Sequence, residues 1–209
     1  MLAERFKNLA QKSPVILAIP RGGVEVGYEL SLRWNAPLDV IVPRKIGAPF
    51  DPEMAIGAVT EEGEVILDEH FRSWELDEVY LKRILQEEKK EIRRRLELYR
   101  GGLQPLIVKD RVVVLTDDGI ATGSTMKAAV LSVKAKAPRE VVIAVPVASP
   151  EAVALLEPLV SEICALDVPA YFMAVGQFFE DFTQTSDQTV CQLLKESREK
   201  FKERNEDYA

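Results

Sequence analysis

Between Val112 and Thr125 the chain reads Val-Val-Val-Leu-Thr-Asp-Asp-Gly-Ile-Ala-Thr-Gly-Ser-Thr. Two adjacent carboxylates, Asp117 and Asp118, end an apolar run. A loop of small and hydroxyl residues follows, and it opens an Ala-rich helical pattern from Met126 to Lys136. Carboxylates in that place can accept hydrogen bonds from sugar hydroxyls or hold a divalent cation. The helix start gathers unpaired backbone N–H groups and a positive dipole end, which suits a phosphate group. Thr122, Ser124 and Thr125 add hydroxyl donors, and Gly119 and Gly123 let the backbone come close to a ligand. The combination asks for a phosphorylated sugar. A Walker A loop is excluded, because Gly119 and Gly123 are too close and no lysine precedes Ser124. A plain strand–turn–helix with capping residues explains one Thr or Ser, but not the paired acids beside them.

The same stretch resembles the phosphoribosyl-pyrophosphate (PRPP) binding motif of type I phosphoribosyltransferases, with Thr116 the one polar residue in the strand before the acids. The resemblance implies that Asp117 and Asp118 hold the ribose 2- and 3-hydroxyls, and reach Mg²⁺ through the ribose or water. It implies that Ala121, Thr122, Gly123, Ser124 and Thr125, with Gly119, cradle the 5-phosphate. Members acting on 6-oxopurines carry an aspartate just before the Thr-Gly, where this chain has Ala121; that counts against 6-oxopurine chemistry. Members that bind without catalysis also carry the motif.

Three further segments extend the resemblance. Val15 to Ile19 is an apolar run broken by Pro20-Arg21-Gly22-Gly23, before a helical pattern from Val24 to Trp34. Two glycines beside an arginine make an anion loop. It is similar to the family's pyrophosphate loop, which often holds a non-proline cis peptide, expected here within Pro20 to Gly22. Leu38 to Val42 is the next apolar run, and the resemblance puts Arg44 and Lys45, just after it, near the leaving pyrophosphate. Ile46 to Met54, with Gly47, Pro49 and Pro52, reads as a loop similar to the family's flexible loop, in which Glu53 is a weak candidate for substrate contact. Val168 to Gln184 holds four of the eight phenylalanines outside any clean period. These aromatics plug the edge of the core or stack on a planar heterocycle. The resemblance implies a hood at about 167–185, with Phe172, Phe178 and Phe179 as base contacts.

Composition bounds the rest. A net charge of −7 and a pI near 5.0 argue against broad nucleic-acid or anionic-membrane binding. With 47% hydrophobic residues, the 209-residue chain can bury the core of one generous domain. Cys164 and Cys191 match no metal spacing and read as reduced residues of a cytoplasmic protein. The single histidine, His70, lies in a charged stretch, so Ser/His/Asp catalysis is not expected. No apolar run approaches membrane-spanning length.

Positioning these residues takes alternating strands and helices. Leu2 to Lys12 has helical spacing; Ala55 to Thr60, Val65 to Leu67, Val141 to Val147 and Glu162 to Leu166 read as strands; Glu151 to Leu156 and Ser186 onward read as helices. Glu75 to Arg100 is a highly charged helix with an apolar stripe of Leu81, Leu85, Ile92, Leu96 and Tyr99, inside an insertion at about 68–104. Its mixed charge reads as a solvated outer face, with a dimer contact or an active-site cap as the alternative. The expected fold is α/β, a mainly parallel sheet flanked by helices in one domain spanning 1–209, with ligand loops at the strand carboxyl ends. The expected function is a Mg²⁺-dependent phosphoribosyltransferase moving the 5-phosphoribosyl group of PRPP to a small nitrogenous base. Asp117, Asp118, Arg21 and Lys45 would be catalytic, with Arg44, Gly22 and Gly23 completing the PRPP site. A regulatory module that binds PRPP or a nucleotide without catalysis is the alternative, and a nucleotide hydrolase a weaker third. Homodimers are common in the resembled family.

Overall fold

The structure is a computed structural model that describes residues 1–67 and 78–206. Its strands, in chain order, are β1 (Val15–Ala18), β2 (Leu38–Val40), β3 (Arg44–Ala48), β4 (Asp51–Val59), β5 (Val65–Leu67), β6 (Val112–Thr116), β7 (Glu140–Val147) and β8 (Glu162–Asp167). The helices are α1 (Leu2–Arg5), α2 (Gly23–Trp34), α3 (Glu78–Arg100), α4 (Ser124–Lys134), α5 (Pro150–Leu156) and α6 (Asp187–Glu206).

Five strands form a parallel sheet in the order β2-β1-β6-β7-β8. The pairing puts Val15 beside Val113 and Leu17 beside Leu115. Successive side chains of a strand face opposite sides, and here both sides are buried. Ile16, Ala18, Val112, Val114, Val142 and Ala144 enter one core with α2 and α6. Val15, Leu17, Val113, Leu115, Ile143 and Val145 enter the other with α4 and α5. This is why β1 and β6 read as unbroken apolar runs rather than alternating ones. The expected α/β class, a mainly parallel sheet flanked by helices, is what the chain adopts. Thr116 carries the penalty of the same burial: its hydroxyl oxygen is enclosed with no hydrogen-bond partner among the described residues.

Local chemistry sets several ends. Asn35 closes α2 in the left-handed region, φ 47°, which asparagine tolerates better than most residues. Ser149 caps α5 by accepting from the Ala152 N–H at 2.9 Å, and Pro150 fills the first turn where its missing N–H costs nothing. Cys164 and Cys191 are free thiols, and burial pushes Cys164 up to about 12. No helix among the described residues is long and apolar enough to cross a membrane.

Two expectations are corrected. The lead helix spans only Leu2–Arg5, and a separate 3₁₀ turn covers Ala10–Lys12. Ile46 to Met54 is not a loop. It belongs to an antiparallel sheet β3-β4-β5. Ile46, Ala48, Ile56 and Val59 are buried in the main core, and that burial outweighs the local turn chemistry. The turn falls at Pro49–Phe50, while Gly47 sits where the β3–β4 pairing shifts register. The charged helix keeps its solvated outer face, with Lys89, Lys90, Arg93, Arg94 and Glu97 exposed, and turns its apolar stripe inward. Ile92 and Tyr99 of α3 are 1% and 4% exposed, and Leu85 and Leu96 pack against the same core. Residues 68–77, with His70, and the side chains of Glu53 and Leu81 lie outside the described residues.

The carboxyl end of α3 is pinned by charge. Arg100 meets Asp39 and Glu61 at 3.0 Å each and donates to the Val40 carbonyl at 2.9 Å, with all three charged side chains at most 8% exposed. Burial opposes the Arg100 charge, but Glu61 and Asp39 more than offset it, so its pKa is raised.

Candidate active site

Strand β6 delivers the acidic pair to the carboxyl edge of the sheet. Asp117 is half-buried and turns back on the chain: its Oδ1 accepts the Asp118 N–H at 2.9 Å. Asp118 lines an open cavity of about 640 Å³. Burial raises the pKa of both acids, and the Asp117 charge is further opposed by Asp118.

The loop after the pair is fixed at both ends. Ile120 pairs with Ala148 as an isolated parallel bridge, and the Ser149 hydroxyl donates to the Ala121 carbonyl at 2.6 Å. Gly123 stands just before α4 at φ 77°, in the left-handed region that glycine takes without steric cost. Ala121, Thr122 and Thr125 are exposed, and Ser124 is buried. An anion at this helix start would meet exposed hydroxyls and unpaired N–H groups.

The Pro20–Gly23 loop leaves β1, the strand beside β6. Its Pro20–Arg21 peptide bond is cis, within the expected span. Both glycines are required by proximity. A Cβ on Gly22 would lie 2.0 Å from Asp118 Oδ2, and one on Gly23 would lie 2.8 Å from the Asp117 Cα. Arg21 and Gly22 share the 640 Å³ cavity with Asp118. Arg44 and Lys45 instead line a second cavity of about 460 Å³ with Thr125. The two cavities have Pro20 and Arg95 in common.

Of the three aromatic candidates, only Phe179 lines the larger cavity, beside Phe182, whose ring centroid is 5.3 Å away. Phe172 and Phe178 lie against each other, centroids 5.4 Å apart, and border neither cavity. Val175 is seated against the acidic motif at Gly119. A Cβ on Gly119 would come within 2.6 Å of Val175 Cγ1, and one on Gly176 within 2.8 Å of Phe182.

Helix α3 supplies residues that sequence reasoning missed. Arg94, Arg95 and Tyr99 line the larger cavity. Glu88 lines the smaller one and forms an ion pair with Arg44. Tyr99 donates to Asp187 at 2.6 Å, and burial followed by this bond pushes its pKa up to about 12. Asp187 also lies 4.0 Å from Arg21. The one usable signal was geometric. Arg95 falls three residues after Ile92 and four before Tyr99, on the edge of the apolar stripe rather than opposite it.

Comparison with known proteins adds the following. A family model described as a phosphoribosyl transferase domain matches residues 1–163. Two strains of Mycobacterium tuberculosis each have a protein named "Putative phosphoribosyl transferase" that is 41% identical over 203 residues, 97% of this chain. That match covers 46% of each relative, so the chain spans about half the length of the curated proteins it resembles. The crystal structure of a Thermus thermophilus protein, TT1426, is 45% identical, covers 93% of both chains and superposes with a TM-score of 0.87.

Proposed function

The chain belongs to the phosphoribosyltransferase family, and from that premise we propose that it transfers the 5-phosphoribosyl group of PRPP to a nitrogenous base and releases pyrophosphate. The observation that carries the reading is the meeting of Asp118 with the Arg21-Gly22 loop in one open cavity at the carboxyl edge of the sheet. Asp118 accepts hydrogen bonds from the ribose hydroxyls, with Asp117 holding its backbone in place. The loop from Ala121 to Thr125 receives the 5-phosphate. Arg21, Arg44 and Lys45 receive the pyrophosphate. Phe179 offers a flat apolar face to the base.

In the reaction the C1–O bond to pyrophosphate breaks with its electron pair on the leaving oxygen, and a ring nitrogen donates its lone pair to C1. The nitrogen's proton passes to solvent. The protein's part is positioning and charge stabilisation. Mg²⁺ suits this site through its donor set. Asp118 offers hard carboxylate oxygens to the cavity while Asp117 is turned onto the chain, and no group of three or more His, Cys, Asp or Glu among the described residues forms a dedicated cage. That matches an ion held largely by water and ligand oxygens. When bound, Mg²⁺ would neutralise charge on the pyrophosphate. The basic residues after β1 and β2 favour turnover over a non-catalytic sensor, since a sensor of the 5-phosphate alone has no use for Arg44 and Lys45.

Melting temperature with PRPP and MgCl₂ tests the reading. Ligand at a hundred times its Kd stabilises by about 2.7 kcal/mol, which for a chain of this size is roughly 5–11 °C. A shift requiring both PRPP and Mg²⁺ supports it. A shift with nucleoside monophosphate alone favours the sensor, and none with either ends the proposal. Gly22→Ala provides a second test. The new methyl displaces the Asp118 carboxylate rather than backbone, so PRPP affinity should fall by about tenfold, 1.4 kcal/mol. The melting temperature should stay within a few degrees.

A further inference from the structure

We propose that Arg95, carried by the inserted helix α3, is a further catalytic residue that binds the leaving pyrophosphate; the inference rests on the transferase reading above. A transferase of this kind needs its leaving group and its acceptor on either side of one sugar carbon. The structure has one cavity lined by Arg44, Lys45 and Thr125, and another lined by Asp118, Arg21 and Phe179. Arg95 borders both, and so stands where the pyrophosphate joins the sugar.

Its surroundings leave it able to act. Arg95 gives Nε to Glu91 at 2.7 Å, and among the described residues no hydrogen bond reaches its two terminal nitrogens. A guanidinium held by one edge keeps a second edge for two parallel bonds to phosphate oxygens. Its stem is fixed as well, because Ile92, Leu96 and Tyr99 around it pack into the core. Arg94 next to it differs on each count. Both its Nε and Nη2 are taken by Glu91, at 2.8 and 2.9 Å. Its side chain is 57% exposed against 31% for Arg95, and it borders only the acidic cavity. In the smaller cavity Glu88 holds Arg44, so Arg95 supplies a guanidinium there that is not committed to Glu88.

Calorimetry with inorganic pyrophosphate and MgCl₂ on the full chain, beside ribose 5-phosphate as a probe of the sugar site, tests this. Arg95→Ala should weaken pyrophosphate binding by about 10- to 100-fold, the scale of a lost hydrogen bond to a charged group. Ribose 5-phosphate affinity and melting temperature should hold, Arg93→Ala, at an exposed arginine of the same helix that borders neither cavity, should bind pyrophosphate like the wild type, and Arg95→Lys should fall between. Equal pyrophosphate affinity in Arg95→Ala and wild type overturns the proposal. So does a parallel loss of both ligands, which would make Arg95 part of the wall only. If the wild type binds ribose 5-phosphate but no pyrophosphate, the transferase reading fails first and takes this inference with it.

Discussion

Asp118→Asn is expected to weaken PRPP binding by about 10- to 100-fold without lowering the melting temperature. The loss follows from charge. A hydrogen bond to an ionised group contributes roughly 1.5–3 kcal/mol, against about 1 for a neutral pair, and a decade of affinity is about 1.4 kcal/mol. The retained stability follows from the pKa direction. Burial raises Asp118 above its ordinary value of 3.8, so the folded protein holds that proton more tightly than the unfolded chain. Such a group favours the folded state below its ordinary pKa, and that contribution is lost as pH rises through the folded value. At neutral pH the charged form therefore disfavours folding in the free protein, and the neutral amide removes the cost. Asp117→Asn should likewise not lower stability, since burial raises its pKa too and Asn Oδ1 can still accept the Asp118 N–H. Gains of this kind are commonly about 0.5–2 kcal/mol, and they come with a loss of function. Melting curves at pH 5 and pH 8 with calorimetry at pH 8 check both halves. A variant that binds PRPP normally would remove Asp118 from the ribose.

How far the sequence could be read depended on how local each feature was. The run from Val112 to Thr125 is self-contained: strand, acids, loop and helix start are contiguous, and each leaves its own pattern. The Arg21-Gly22-Gly23 loop was legible for the same reason, although its proximity to Asp117 and Asp118 was not, because it comes from the adjacent strand β1. The β3–β4 hairpin was hidden by Gly47, Pro49 and Pro52. Those residues signal a turn, and one is present, but burial of Ile46 and Ile56 in the core extends strands on both sides of it. Helix α3 was legible as a helix with a solvated charged face, but which of its residues reach the site was not. Its charge pattern describes what side chains are, whereas its site role depends on where the β2–α6 side of the molecule lies. Aromatic content left two readings open, core plug or base contact, and the placement divides them: Phe172 and Phe178 lie against each other, while Phe179 lines the larger cavity.

Arg100→Ala is expected to cost about 3–5 kcal/mol, because it strands Asp39 and Glu61 as buried charges. Against a total stability of about 5–15 kcal/mol, that lowers the melting temperature by roughly 6–20 °C. Arg94→Ala supplies the contrast. Its pair with Glu91 is more than half exposed on the arginine side, and solvent-screened pairs of that kind contribute little to stability. Two charged residues six apart on one helix should thus differ severalfold in effect, and helix propensity cannot account for it since both become alanine. Lys136 and Arg198, at 3.5 and 3.7 Å from Glu61 and Asp39, would offset part of the loss, which places the expectation toward the lower figure. The consequence extends beyond stability. Arg100 pins the end of α3 that presents Arg95 and Tyr99 to the cavities, so near its midpoint the variant should lose ligand affinity before it loses the parallel sheet. Hydrogen exchange would show this as early opening of α3 while β1 and β6 remain protected. Simultaneous loss of α3 and β6 would mean that the inserted helix is an integral part of the core and that no separate fastening exists.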